Sequence, residues 1–201
     1  MVARGVVLPG EVATMRAVFD AILPEHAALP RGPDGVLGEI TGASRVYEPL
    51  ARIARDARFG ALAANALGSP RVQLLQDSLL YKPAREGGEV HWHQDYTYLG
   101  FLMPPRVVTV RVALLPERED TGCMRVVSGS HGWGAIGDLR ALTESSVDSL
   151  LPFLSPAQRD EVACATSLVL EPGDVSIHHC LTLHGSGPNV SAQPRRTIIL
   201  R

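Results

Sequence analysis

The 201-residue chain is short of several things, and each shortage excludes a class of protein. It has three cysteines, Cys123, Cys164 and Cys180, far apart in sequence. An odd, scattered set makes no disulfide framework and fits a reducing compartment, so the expected location is cytoplasmic. No apolar run approaches the roughly 20 residues that span a bilayer. The start, MVARGVVLPGEV, lacks the apolar core and small-residue cleavage site of a signal peptide. Charge of one sign is also missing: 19 Lys and Arg against 21 Asp and Glu leave a formal net charge of −2. Neither nucleic acid nor an anionic membrane is therefore an expected partner. There is no internal repeat and no low-complexity linker. Aromatics are few, with four Phe, four Tyr and two Trp in all.

Glycine and proline, at 19 and 15, are plentiful and point to many turns. The length suits one domain, 1–201, whose first 70 residues read as mainly helical. Val12, Met15, Val18, Phe19 and Ile22 recur at helical spacing, and the proline of LPE closes that helix. PRGPDGVLGEITGAS reads as loop. RVYEPLARIARDARFGALAANALG reads as helix, stopped by Gly68 and Pro70. From residue 71 the character changes to short β-branched or alternating runs: RVQLLQDSLLYKP, GEVHWHQDYTY, RVVTVRVALLPE, GCMRVVSGSH, TSLVLEPGDVSIHHCLTLHGSGPN and RRTIILR. A helical insert interrupts them at about 138–166. The expected fold is mainly β with flanking helices, a sandwich or barrel over 71–201.

Half of the aromatics, Tyr81, Trp92, Tyr96, Tyr98 and Phe101, crowd around one run, EVHWHQDYTYLGF at 89–101. This is either an ordinary strand with a polar face or a metal site with a substrate wall beside it. Side chains two apart on a strand share a face, so His93 and Asp95 reach one ion from the same side. A second strand must supply the rest, and HHCLTLHGSGPN offers His178, His179 and His184. Two histidines and one carboxylate with open positions make the facial triad of non-haem Fe(II) oxygenases. Eleven residues past His184, Arg195 opens the last strand. Arginine grips a carboxylate through two parallel hydrogen bonds, and beside such a triad it would hold the distal carboxylate of 2-oxoglutarate.

WHQD at 92–95, GCMRVVSGSH at 122–131, EPGDVSIHHCLTLHGSGPN at 171–189 and Arg195 together resemble the phytanoyl-CoA dioxygenase family of Fe(II)/2-oxoglutarate-dependent oxygenases, which includes the ectoine hydroxylases. The resemblance covers about 72–201. It implies a double-stranded β-helix of the jelly-roll or cupin type, with Fe(II), 2-oxoglutarate and O2 as cofactor and cosubstrates. It makes His93, Asp95 and His184 the iron ligands and Arg195 the cosubstrate clamp. Gln76 looks like the glutamine that hydrogen-bonds the cosubstrate in similar enzymes, and Ser186 would assist Arg195. The chain departs from the family at Ser128, where a proline is frequent. It departs again at Arg111, where relatives commonly carry tryptophan or a small polar residue. Buried on an apolar strand, Arg111 needs a partner, and a carboxylate of cosubstrate or substrate would serve. With the chain stopping at Arg201, the last strand is expected at an exposed terminus, where a second subunit would cover it.

Two other readings compete. HWHQD also fits the His-x-His-x-Asp signature of dinuclear metallo-hydrolases, although Tyr96 stands where that family has a histidine. A non-catalytic β-sandwich binding module would leave the His, Asp and Arg spacing as coincidence. In the oxygenase reading, alternation keeps His91 on the ligand face but one pleat, roughly 7 Å, further along. That is substrate distance. His178 and His179 then pack beside the third ligand. Tyr96, Tyr98, Phe101 and Trp133 form the mouth of the pocket, and 96–105 with the insert form a lid. Retention of Asp95 points to hydroxylation, because the related halogenases replace this carboxylate with a small residue to admit chloride. The expected reaction hydroxylates an unactivated C–H of an amino acid or secondary metabolite, releasing succinate and CO2. The expected assembly is a monomer or homodimer.

Overall fold

The computed structural model describes residues 1–26, 38–85, 88–137 and 150–201. Its strands are β1 (Val2–Ala3), β2 (Gly38–Thr41), β3 (Asp77–Lys82), β4 (Val90–His93), β5 (Val108–Ala113), β6 (Met124–Val126), β7 (Thr166–Ser167), β8 (Val175–His179), β9 (His184–Ser186) and β10 (Arg195–Leu200). They form two antiparallel sheets. The larger runs β1-β8-β5-β10-β3-β2 and the smaller β4-β9-β6-β7. From β3 onward the chain crosses between them repeatedly: β3, β5, β8 and β10 belong to the larger sheet, and β4, β6, β7 and β9 to the smaller. This winding is the double-stranded β-helix, and the fold is mainly β with flanking helices, as the motifs implied.

The helices cover one face of the larger sheet. α1 (Pro9–Ile22) starts with proline at its first position, and Glu11 accepts from the Leu8 N–H at 2.8 Å. Its buried stripe is Val12, Met15, Phe19 and Ile22, the spacing read from the sequence. The single helix expected over 45–68 is two, α2 (Glu48–Ala54) and α3 (Ala57–Leu67). Asp56 divides them, its carboxylate capping the Arg58 N–H at 2.9 Å. Gly68 closes α3 in the left-handed region. These helices bury their apolar stripes against Leu79, Val110, Val112, Ile177, Ile198 and Leu200. Each such buried side chain contributes roughly 1.5–3 kcal/mol.

Three expectations are corrected here. The stretch read as loop contains β2, whose Ile40 supplies one apolar residue to the helix-covered core. The glycines on either side of it hid so short a strand. Together with β1, it means that the first 70 residues supply both edges of the larger sheet, so the β core does not begin at residue 71. The last strand is not exposed either: β10 lies between β3 and β5. Its six residues, RRTIIL, have a partner strand on each side, so no subunit is needed to cover it. Of the insert expected at 138–166, the described part holds a turn at Leu151–Phe153 and α5 (Pro156–Ala163), capped by Ser155 and Gln158. Residues 138–149 lie outside the described residues. Leu150, Leu154 and Val162 pack with Val127, Ile136 and Leu183 in a second apolar cluster. No described helix is long and apolar enough to cross a membrane.

Candidate metal centre

β4 and β9 are neighbours, and His93 stands directly opposite His184 in their ladder. The imidazole centroids are 4.2 Å apart. Asp95 is not on the strand. β4 ends at His93, and Asp95 adopts helical backbone angles as the residue before α4 (Tyr96–Leu99). The turn at Gln94 still returns its carboxylate to the histidines. Gln94 is fully buried, donating from Nε2 to the carbonyls of Gly134 and Leu181 at 2.9 and 2.7 Å and accepting from the Ile136 N–H at 2.9 Å. It locks the ligand-bearing turn to two other loops. One nitrogen of His93, one of His184 and one oxygen of Asp95 all lie within 4.8 Å of one another. Among the described residues this is the one such group.

The imidazoles are oriented by backbone. Nδ1 of His93 donates to the His91 carbonyl and Nδ1 of His184 to the Thr182 carbonyl, both at 2.8 Å. That fixes the tautomer and leaves each Nε2 lone pair to face an ion. Burial, and then the neighbouring His93 and His178 rings, hold His184 well below the usual histidine range. It is therefore a neutral ligand. The 3.9 Å between its Nε2 and Asp95 Oδ1 separates two donor atoms around a common centre, not an ion pair. Gly185 is required beside it, because a Cβ there would stand 2.9 Å from the Val90 carbonyl oxygen.

Asp95 has its two oxygens differentiated. Oδ2 accepts from Thr109 Oγ1 at 2.6 Å and from His178 Nε2 at 3.2 Å. Oδ1 faces the histidines and accepts from Arg201 Nη2 at 3.1 Å. Burial pushes the carboxyl pKa up, but the His178 hydrogen bond, the adjoining His184 ring and the Arg201 guanidinium outweigh it and hold the group ionised. Burial lowers the His178 pKa, so that ring is neutral and its Nε2 carries the donated proton. Its Nδ1 is buried without a partner among the described residues.

A second polar pocket adjoins the triad. Lys82, fully buried at the end of β3, donates to Ser186 Oγ at 2.9 Å and the Gly187 carbonyl at 2.6 Å. Arg195 is its partner across the ladder, also buried, and donates to the Gly122 carbonyl. Gly122 has φ +69°, and a Cβ there would meet the Gly187 carbonyl oxygen at 2.4 Å. The nearest carboxylate, Glu117, is already engaged. It takes Arg111 Nη2 at 3.1 and 3.3 Å and Thr197 Oγ1 at 2.8 Å. Among the described residues, Lys82 and Arg195 are thus two buried basic groups with only neutral acceptors. Burial and then the Arg195 charge push the Lys82 pKa down to about 7. Burial lowers Arg195 to about 10 although Glu117 pulls the other way. Such a site is deficient in negative charge, and an anion would complete it.

The remaining sequence expectations fare unevenly. Arg111 is buried, but its partner is Glu117 of the same chain, with Ser176 Oγ at 3.1 Å, not a ligand carboxylate. Ser186 meets Lys82 where Arg195 was expected. Gln76 precedes β3, where its backbone pairs with Arg201 and its amide reaches only Ser78 at 3.5 Å. His91 does not share the ligand face. The ladder steps three residues on β4, Val90 to His93, against two on β9, Ser186 to His184, and the extra residue breaks the alternation. The His91 ring instead meets the Glu89 carboxylate at 2.6 Å. Tyr96 is core: it is buried with Leu99, Cys180 and Leu181, its hydroxyl donating to the Leu102 carbonyl at 3.1 Å. The helical turn of α4 rotates it inward and Tyr98 outward. Tyr98 is largely exposed, its ring 6.1 Å from that of His93. Phe101 is exposed on the following turn, and Trp133 packs on the second apolar cluster. His179 accepts from the Leu181 N–H at 3.2 Å, and His178 touches Asp95.

Sequence reasoning missed Lys82, Thr109, Glu117 and Arg201. Lys82 had a signal: alternation from an inward Gln76 passes through Ser78 and Leu80 to Lys82. Arg201 carried none, lying just past the end of β10.

A family model described as phytanoyl-CoA dioxygenase matches residues 1–197. An ectoine dioxygenase of Sphingopyxis alaskensis is 30% identical over 164 residues, covering 75% of this chain and 52% of that protein. A probable alpha-ketoglutarate-dependent hypophosphite dioxygenase of Stutzerimonas stutzeri is 29% identical over 157 residues, covering 77% and 52%. The chain spans about half the length of these relatives. Among solved structures, EctD from S. alaskensis with 2-oxoglutarate and 5-hydroxyectoine superposes with a TM-score of 0.75 at 27% identity, covering all of this chain and 70% of that one.

Proposed function

The chain belongs to the phytanoyl-CoA dioxygenase family, and from that premise we propose that it is an Fe(II)/2-oxoglutarate-dependent dioxygenase. Its reaction is the hydroxylation of an unactivated C–H of a small molecule, an amino acid or a secondary-metabolite scaffold. Succinate and CO2 are the co-products. One observation carries this reading: the His93, Asp95 and His184 cluster adjoins a buried pair of basic side chains that lacks an anion among the described residues. A one-metal site and a dicarboxylate pocket in contiguous strands match an iron with 2-oxoglutarate. The dinuclear hydrolase has no such support, since His91 turns away to Glu89.

Iron(II), when bound, supplies the oxidising chemistry, drawing on O2 and 2-oxoglutarate. The chain's own residues do the rest. His93, Asp95 and His184 would hold the ion. Thr109 and His178 occupy Oδ2 of Asp95 and orient the carboxylate, leaving Oδ1 toward the histidines. Lys82 and Arg195 take the far carboxylate of 2-oxoglutarate, with Ser186 holding the Lys82 ammonium in place. The Arg111 and Glu117 pair neutralises itself and leaves both cations for the ligand. Asp95 fills the position that a halide would need, which supports hydroxylation.

The test is succinate release by the full chain with Fe(II), 2-oxoglutarate, O2 and a library of amino acids and small scaffolds. A compound that raises succinate formation and gains one oxygen atom is the expected result. Failure of the metal-loaded protein to bind 2-oxoglutarate would sink the reading. Metal-dependent ester or lactam hydrolysis without 2-oxoglutarate would revive the hydrolase.

A further inference from the structure

Three arginines point from the larger sheet toward the smaller one, and they are not equivalent. Arg111 is consumed by Glu117 and Ser176, and Arg195 is sealed against the Gly122 carbonyl. Arg201 differs. Its single side-chain hydrogen bond among the described residues goes to Asp95 Oδ1, the oxygen that faces the ligand cluster. That bond uses one of the guanidinium's five donors, and the side chain makes no other hydrogen bond among the described residues, so it has donors for a further acceptor.

The residues around Arg201 have spare capacity as well. Glu39 on β2 is exposed and makes no hydrogen bond among the described residues, and its Oε1 stands 4.0 Å from Arg201 Nη1. That is close enough for ionic attraction and too far for a hydrogen bond. Tyr98 lies beside His93. Most of its surface is exposed. An aromatic face, an exposed carboxylate held only by a long ionic contact and an under-used guanidinium thus lie on one side of the metal cluster. These are complementary to an ammonium and a carboxylate carried on one small molecule.

We propose that Arg201, Glu39 and Tyr98 form the substrate-recognition site, and that the substrate is a small zwitterion of the amino-acid class. Its carboxylate is taken by Arg201, and its ammonium by Glu39 under the Tyr98 ring. This rests on the oxygenase reading only for the side of the cluster on which the substrate is turned over.

The experiment measures binding directly, by saturation-transfer NMR on the Zn(II)-loaded full chain, with and without 2-oxoglutarate. The probes are the proteinogenic amino acids, their methyl esters and their N-acetyl derivatives. At least one parent amino acid is expected to bind, with its ester and its N-acetyl form each at least tenfold weaker. Glu39→Gln should remove the preference for the parent over the N-acetyl form. Arg201→Met should remove the preference over the ester, and Arg201→Lys should restore part of it. These ratios are blind to a general loss of folding, which would weaken all probes alike. The proposal is overturned if no parent amino acid binds, if parent and blocked forms bind equally, or if neither variant changes the ratios. Binding of 2-oxoglutarate by the same sample, read separately, reports on the oxygenase reading.

Discussion

On β5, Val108, Val110 and Val112 turn one way and Thr109 and Arg111 the other. The same split runs across the larger sheet. On β10, Ile198 and Leu200 face the helices while Arg195 and Thr197 face the smaller sheet. On β8, Ile177 divides Ser176 from His178. Both faces are buried, one residue out of step. The apolar face needs only volume and shape, because α1, α2 and α3 remove it from water. The polar face must satisfy every donor and acceptor internally. It does so for Arg111, Glu117, Thr109 and Asp95, and it leaves Lys82 and Arg195 without a counter-charge. Stability is concentrated on one face, and ligand binding on the other.

Separating the faces by substitution tests that division. The largest effect is expected from the triad: His93→Ala abolishes succinate release, while circular dichroism and the melting temperature change little, since the ligands hang on a preformed sheet. Unfolding on loss of His93 would break the comparison. Next, Phe19→Ala on the helix-covered face is expected to cost about 3–5 kcal/mol in denaturant unfolding, with the 2-oxoglutarate affinity of the remaining folded protein unchanged. Arg195→Ala should do the reverse. Loss of a buried charge-assisted partner costs about 2–5 kcal/mol of binding, so calorimetry should show the 2-oxoglutarate Kd raised by roughly 30-fold or more.

A smaller effect is a pH dependence. Lys82 is pushed down to about 7 in the ligand-free fold. Below that pH it is already charged when the dianion arrives. Above it, binding must take up a proton, so affinity should fall by up to tenfold per unit as pH rises from 7. Lys82→Met should flatten the slope, and equal slopes in both proteins would remove Lys82 from the pocket. The smallest effect is expected from Arg196→Ala. Arg196 faces the helices, where it pairs with Asp20 and lies 5.9 Å from the centre of the Phe19 ring. A partly exposed pair of this kind is worth about 0–1 kcal/mol. A large change in 2-oxoglutarate affinity on its removal would show that the two faces are coupled.

The sequence made some of this legible. The helical stripe of α1 was plain because four buried residues recur at one period, and the strands of the core were plain from their β-branched runs. His93 and Asp95 were legible from their spacing, and His184 as one of three candidate histidines that the family resemblance singled out; the three do come together. Short elements were not: β2 has one buried apolar residue, which leaves no period to read. Tyr96 was misread as pocket wall because a single helical turn after His93 replaced the strand alternation that the sequence implied.

By itself the sequence determined which residue types carry the chemistry and the order in which the chain presents them. It also determined which side of each strand is apolar, because alternation is a local property of the backbone. Only the tertiary structure decided their partners. That Arg111 meets Ser176 across 65 residues, that Lys82 and Arg195 meet no carboxylate among the described residues, and that Arg201 reaches Asp95 across 106 residues are facts of register between segments far apart in the chain. A one-residue shift, such as the bulge that turns His91 away from the metal, changes every such partnership. Residue type and period are written locally. Pairing is settled only when all strands are docked, because burial then makes each unmatched charge costly.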